Sequence, residues 1–309
     1  MRRNSKKEAK RRFIVFIAVT LLVVSAIMFY KYFSDSIFLH KDNEKTENGN
    51  GEDKPIKEEI PKDPNEDLKK VSNYKSENLN RYLSYKEQRT DLDNDTIVTY
   101  VNIGLDYGFY DYISDADLTE DNLILMNKYY KLPAEYEPGD LQTISSDYFI
   151  FGNTYVRMLR KEAKEQFEKM SAAAIANGTP VYGQSAYRPY SMQSQLYDNA
   201  VASSGQETAD SDTARPGHSE HQTGLAIDVS STKSGNMLYF ENTDSFTWMQ
   251  NNAYKYGFIL RYPNGKTSIT GFMYESWHYR YVGVKVATDM HNNYPELTYE
   301  EYYYKYLDK

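Results

Sequence analysis

Apolar positions are continuous from Phe13 to Tyr30, nearly vanish over residues 41–70, and from about residue 95 return in short runs with strand or helix periods. The continuous run, FIVFIAVTLLVVSAIMFY, holds 18 residues without a charge. As a helix it is about 27 Å long, close to the thickness of a bilayer's hydrocarbon core. Residues 13–30 are therefore expected to be an uncleaved signal anchor crossing the lipid bilayer, with a cleaved signal peptide as the alternative because Ser25 and Ala26 are small. Between Lys41 and Lys70 the only large aliphatic residues are Ile56, Ile60 and Leu68, too few to offset the entropy of ordering. Residues 31–75 read as a disordered tether.

Beyond the tether the pattern predicts alternating elements. DTIVTYVNIG (95–104) and DNLILMNKYYKLP (121–133) read as strands, the second stopping at its proline. Tyr155 to Ala176 reads as a helix with Val156, Leu159, Ala163, Phe167, Met170 and Ala174 on one face. PVYGQSAYR (180–188) is expected to be a strand leading to a helix near Ser191. LAIDVS (225–230), GFILRYP (257–263) and SWHYRYVG (276–283) complete the strands, with a helix over Ser245 to Lys255. Thr298 and Glu301 fit a capping box for a C-terminal helix. Direct strand-to-strand connections mixed with helical ones argue an α+β fold, a single domain with a small antiparallel sheet flanked by helices. The expected organisation is 76–150 as an N-terminal extension packing on a catalytic-size core over 151–309.

Charge alters this picture at the N-terminus. The net charge of −8 averages unlike parts, because residues 1–12 carry seven Lys/Arg against one Glu, or +6, and leave −14 for the rest. Basic residues before the apolar run place residues 1–12 in the cytoplasm and the body outside the cell membrane as a single-pass protein. The acidic body argues against nucleic acid as a partner. There is no second apolar run of this kind, which excludes a polytopic protein.

Zero cysteine excludes disulfides, thiol nucleophiles and cysteine-ligated metals, so a catalytic metal would need His, Asp or Glu. The histidines are His40, His218, His221, His278 and His291. Two segments concentrate the chemistry: RPGHSEHQTGLAID (215–228) and YESWHYRY (274–281). They offer His221, Asp228 seven residues on, and Glu275 three residues before His278. Two imidazoles and one carboxylate make a three-ligand zinc site with a fourth position open, and Glu275 remains as a base. A strand would turn residues 275 and 278 to opposite faces, so Glu275 is expected at a turn or bulge entering the strand.

S-x-H-x-x-G-x-A-x-D, here Ser219, His221, Gly224, Ala226 and Asp228, together with E-x-W-H, here Glu275, Trp277 and His278, resembles the VanY-type D-alanyl-D-alanine carboxypeptidases and their L,D-carboxypeptidase relatives. The resemblance runs from Tyr182 to Val282 and includes SAYR at 185–188 and GFILRYP at 257–263. It implies Zn2+ on His221, Asp228 and His278, Glu275 as catalytic base, and Arg188 over the reacting carbonyl or the substrate carboxylate. It also implies a peptide pocket lined by Ser219, Gln193, Tyr262 and Trp277. The substrate would be a peptidoglycan stem peptide losing its terminal D-Ala, and the chain would act as a monomer. An endopeptidase with the same metal set, or a non-catalytic wall-binding module, are the alternatives.

His218, after Pro216-Gly217, reads as a cleft-edge residue, and His40 and His291 as solvated. Serine-peptidase motifs are present only by chance, since Ser230…Lys233 and Lys233-Ser234-Gly235 share one lysine. No H-E-x-x-H occurs, which excludes helix-based zinc peptidases. The 31 tyrosines read as packing residues in strands and half-buried helix faces.

Overall fold

Two strands that read as alternating in the sequence, β2 (Ala226–Ser230) and β4 (His278–Tyr281), form the centre of a four-stranded antiparallel sheet. The outer strands are β1 (Tyr182–Ser185) and β3 (Phe258–Leu260), giving the order β1-β2-β4-β3, with a bulge in β1 between Gly183 and Ser185. The computed structural model describes residues 65–150, 155–234 and 237–308. The expected anchor, residues 13–30, lies outside these. Among the described residues no helix is long and apolar enough to cross a membrane.

The period of two divides the sheet chemically. Ile227, Val229, Tyr279 and Tyr281 join one apolar cluster with Phe167 and Met170 of α2 (Lys161–Ala176) and Phe246 and Met249 of α3 (Asp244–Asn252). The residues between them, Asp228, His278 and Arg280, make polar contacts on the other side. Both sets are buried, which explains why β2 is buried along its whole length. The predicted amphipathic helix begins later than expected: only Lys161–Ala176 is α-helical, while Tyr155–Arg157 forms a 3-10 turn and Met158–Arg160 pairs antiparallel with Leu141–Thr143.

Two expected strands are not strands. Residues 95–104 fold as α1 (Asn94–Ile103), capped by the Asp93 carboxylate accepting from Thr96 N (2.8 Å) and ended by Gly104 at φ 102°. Ile97, Val98 and Val101 are buried at helical spacing against Tyr82 and Leu68, so the cap and the packing outweigh the β-branched composition. In residues 121–133 only Tyr130–Lys131 pairs, with Ser114–Asp115. Here carbonyls are taken by side chains instead of a neighbouring strand: Arg280 donates to those of Asn122 and Ile124, Arg261 to Met126, and Tyr299 Oη to Leu123.

Order also begins before the expected end of the tether. Glu66–Lys69 is a helical turn whose Leu68 is 2% exposed. At the other end the Thr298–Glu301 capping box forms and opens α4 (Tyr299–Tyr302), and Tyr299, Tyr302, Tyr303 and Tyr304 are buried in a second apolar cluster. This follows the reading of tyrosine as a packing residue. The described residues form one compact unit.

Candidate metal centre and cleft

The two motif segments meet because β2 and β4 are neighbours. A 3-10 turn, Glu220–Thr223, carries His221 and ends at Gly224, whose φ of 67° and tight surroundings favour glycine. A Cβ there would stand 2.8 Å from Leu141 Cδ2 and 3.1 Å from Arg160 Cγ. The chain then enters β2, where Asp228 pairs directly with His278 of β4. Glu275 lies just before β4, ahead of the turn at Ser276–Trp277, as the requirement to reach the same side as His278 predicts.

Ligand atoms of His221, Asp228 and His278 all lie within 4.8 Å of one another, and all three residues are buried. Asp228 Oδ1 is 3.1 Å from His278 Nδ1, and Asp228 Oδ2 is 3.3 Å from His221 Nε2. His221 Nδ1 is 2.6 Å from the Ala186 carbonyl, which fixes the ring by its far nitrogen and leaves Nε2 toward Asp228. Two imidazoles and a carboxylate converging in this way suit Zn2+.

Around this centre the electrostatics are strongly shaped. Burial pushes the Glu275 carboxyl up to about 7, with Asp228 adding to the rise and His278 and Arg188 opposing it. Its Oε2 is 3.6 Å from His278 Nδ1. Burial acts to raise the Asp228 carboxyl as well, but the neighbouring His221 and His278 hold it far below the usual carboxylate range. Arg188 reaches in from the end of β1: Nη1 donates to Gln193 Oε1 (2.9 Å), Nη2 donates to Ser185 Oγ (3.0 Å), and Nη2 is 3.7 Å from Asp228 Oδ2.

These groups share a cleft of roughly 240 Å³ whose lining takes in Arg188, Gln193, Ser219, His221, Asp228, Tyr262, Glu275, Trp277 and His278. All nine residues singled out from the sequence are thus brought to one place. Gln193 differs in character from the expectation: it is 1% exposed, braces Arg188 and donates from Nε2 to the Ala214 carbonyl (2.7 Å). Phe272, Leu196 and Met237 also line the cleft and carried no motif.

His218 does not sit at the cleft edge. It is 4% exposed, its Nδ1 is 3.0 Å from the Asn127 carbonyl, and its ring meets Tyr110 edge-on. The extension covers it, which no local pattern announces. His291 is exposed but stacks on Tyr254 with ring centroids 3.7 Å apart. His40 lies outside the described residues.

Sequence reasoning also missed Glu220. Its side chain is fully buried and its carboxylate is held well below the normal range: burial opposes this, but Arg261 and Arg280 outweigh it. Those partners lie 41 and 60 residues away, so nothing local marks the residue.

Comparison with known proteins places these residues in context. A family profile described as VanY, D-alanyl-D-alanine carboxypeptidase, matches residues 156–284. YodJ of Bacillus subtilis (strain 168) is 44% identical over 188 residues, 60% of this chain and 68% of that protein. A D-alanyl-D-alanine carboxypeptidase of Enterococcus faecalis is 34% identical over 196 residues, 60% of this chain and 67% of that protein. Among solved structures, the LdcB LD-carboxypeptidase superposes with a TM-score of 0.59 at 42% identity, covering 63% of this chain and 91% of that one.

Proposed function

This chain belongs to the VanY family of carboxypeptidases, and from that membership we propose that it removes the terminal D-Ala of peptidoglycan stem peptides, using Zn2+ held by His221, Asp228 and His278. One observation carries the reading: three ligand atoms from two chain segments about 50 residues apart converge within 4.8 Å in a cleft that also receives Glu275 and Arg188.

When bound, the ion polarises the scissile carbonyl and makes water a nucleophile near neutral pH. The chain supplies the remaining groups. Glu275, with its carboxyl raised to about 7, takes the proton of the attacking water and returns it to the leaving amine. Arg188 offers a guanidinium to the oxyanion or to the substrate's free carboxylate, and its bonds to Gln193 and Ser185 hold it aimed before substrate arrives. Trp277, Tyr262 and Ser219 provide peptide-facing wall.

The likeness to LdcB supports trying the L,D bond of tetrapeptides beside the D,D bond of pentapeptides. The decisive experiment incubates the full chain with stem tetra- and pentapeptides, with and without chelator, and identifies what is released. Chelator-sensitive release of single D-Ala is expected. Chelator-insensitive release overturns the zinc reading, and internal cleavage would make the enzyme an endopeptidase.

We further propose that residues 13–30 anchor the chain in the cell membrane with everything from residue 31 outside, acting as a monomer built of the extension (76–150) and the core (151–309). The uncharged run behind seven cations supports the anchor. Protease protection confined to the N-terminal segment in intact cells is the expected result.

A further inference from the structure

A cluster of fully buried charges lies behind the metal ligands. Glu220 Oε1 accepts from Arg261 Nε (2.7 Å) and Arg280 Nη1 (2.9 Å), and both arginines are fully buried. Arg261 is bound bidentately by Glu300, with Nη1 to Oε2 at 2.9 Å and Nη2 to Oε1 at 2.6 Å. Those contacts occupy only one of the Glu220 oxygens. The second, Oε2, is 3.3 Å from His278 Nε2.

We propose that Glu220 is a positioning residue that holds the His278 ring by Nε2 and so presents Nδ1 to the metal. An imidazole has two nitrogens, and metal-bound histidines generally donate the other N–H to a carboxylate or carbonyl, which fixes both tautomer and ring orientation. With Nε2 engaged by Glu220, Nδ1 is the nitrogen that faces Asp228 at 3.1 Å. His221 is fixed the opposite way, through Nδ1 on the Ala186 carbonyl. The two rings meet nearly perpendicular, at 87° with centroids 5.0 Å apart, so each directs a different nitrogen toward the shared aspartate. A flipped His278 would aim its metal-binding lone pair into a buried arginine cluster.

Glu220 cannot tilt to release the ring, because Arg261 and Arg280 fix its other oxygen. The same two arginines hold the carbonyls of Asn122, Ile124 and Met126. The support of a metal ligand therefore reaches into the N-terminal extension, outside the segment that carries the motifs.

This inference rests on the zinc reading above, and its test separates the two. Zinc affinity is measured by chelator competition on the full chain for wild type and Glu220→Gln, with the visible spectrum of the Co2+-loaded proteins as a second readout. Gln is isosteric and can still accept from the arginines, but its amide would face an N–H with an N–H. Zinc binding is expected to weaken by about 10- to 100-fold, with a changed Co2+ spectrum. Unchanged affinity and spectrum overturn the proposal. Should Glu220→Gln fail to fold, nitrogen NMR of the wild-type imidazoles decides: His278 protonated on Nε2 in the zinc-loaded protein supports the proposal, and protonation on Nδ1 overturns it. A wild type that binds no zinc would instead refute the zinc reading itself.

Discussion

Asp228 Oδ1 lies 3.1 Å from His278 Nδ1 because the two residues are direct partners in the antiparallel pairing of β2 with β4. The position of a proposed metal ligand on each strand is thus set by hydrogen-bond register, and a one-residue slip would send Asp228 into the apolar cluster. Asp228→Ala is expected to leave the sheet paired but to lower zinc affinity by more than the roughly 10- to 100-fold seen for loss of an outer-shell partner. Metal content after dialysis against a weak chelator checks it, and full retention of zinc would remove Asp228 from the ligand set.

Arg188→Ala is expected to lower kcat by about 100- to 1,000-fold, the usual cost of one oxyanion donor. Arg188→Lys should rescue little, since a single ammonium cannot bond Gln193 and Ser185 and still face the cleft as the guanidinium fork does. Steady-state kinetics of both variants on a D-Ala-terminated peptide check this. A rise in KM with kcat unchanged would instead assign Arg188 to ground-state binding of the substrate's carboxylate.

As the proposed base, Glu275 is expected to set the acid side of the pH profile. Its carboxyl, raised to about 7 by burial, is protonated below that value and accepts a proton above it. Activity is therefore expected to rise with pH along a limb at or below about 7, because a nearby divalent cation can only lower the value. Glu275→Gln should abolish the limb together with most of the activity. An acid limb above pH 8 would be incompatible with Glu275 as the base.

Lys128 predicts a separate effect on stability. It is 2% exposed, donates to the Asp210 carbonyl, and lies over the rings of Phe109, Tyr110 and Phe272. Burial lowers its pKa to about 8, below the unfolded value, so between the two the folded state binds fewer protons. Stability should accordingly rise with pH from about 8 toward 10, by on the order of 1–3 kcal/mol for this group. Urea unfolding of wild type and Lys128→Met across that window isolates it, as other titrations cancel in the difference. A difference independent of pH would show that Lys128 is not depressed.

Gly224 enters the motif through backbone conformation, not through a side chain. Its φ of 67°, and the 2.8 Å a Cβ would make with Leu141 Cδ2, predict that Gly224→Ala costs about 1–3 kcal/mol and shifts His221 relative to Asp228. Thermal melting and zinc affinity should fall together.

What was legible in advance was local. His221, Asp228, Glu275 and His278 stand in two short segments with fixed spacing, and the capping box at Thr298 needs only residues three apart. The misread strands show the limit of the same approach. Residues 95–104 have β-branched composition but carry a cap at Asp93 and a terminator at Gly104, signals that compete with composition and win once Leu68 and Tyr82 cover the helix.

The amino-acid sequence alone determined which side chains can bind a metal and supply a base, since zero cysteine and five histidines leave few alternatives and the motifs bring the right types into two segments. Tertiary structure alone decided how those side chains are held. Glu220 meets Arg261, Arg280 and His278 across 41, 60 and 58 residues, and His218 is covered by a residue 91 positions away. Pairings at such separations arise from strand register and from an extension whose carbonyls are bound by buried arginines. They depend on burial that exists only after the chain has folded, so no local period records them.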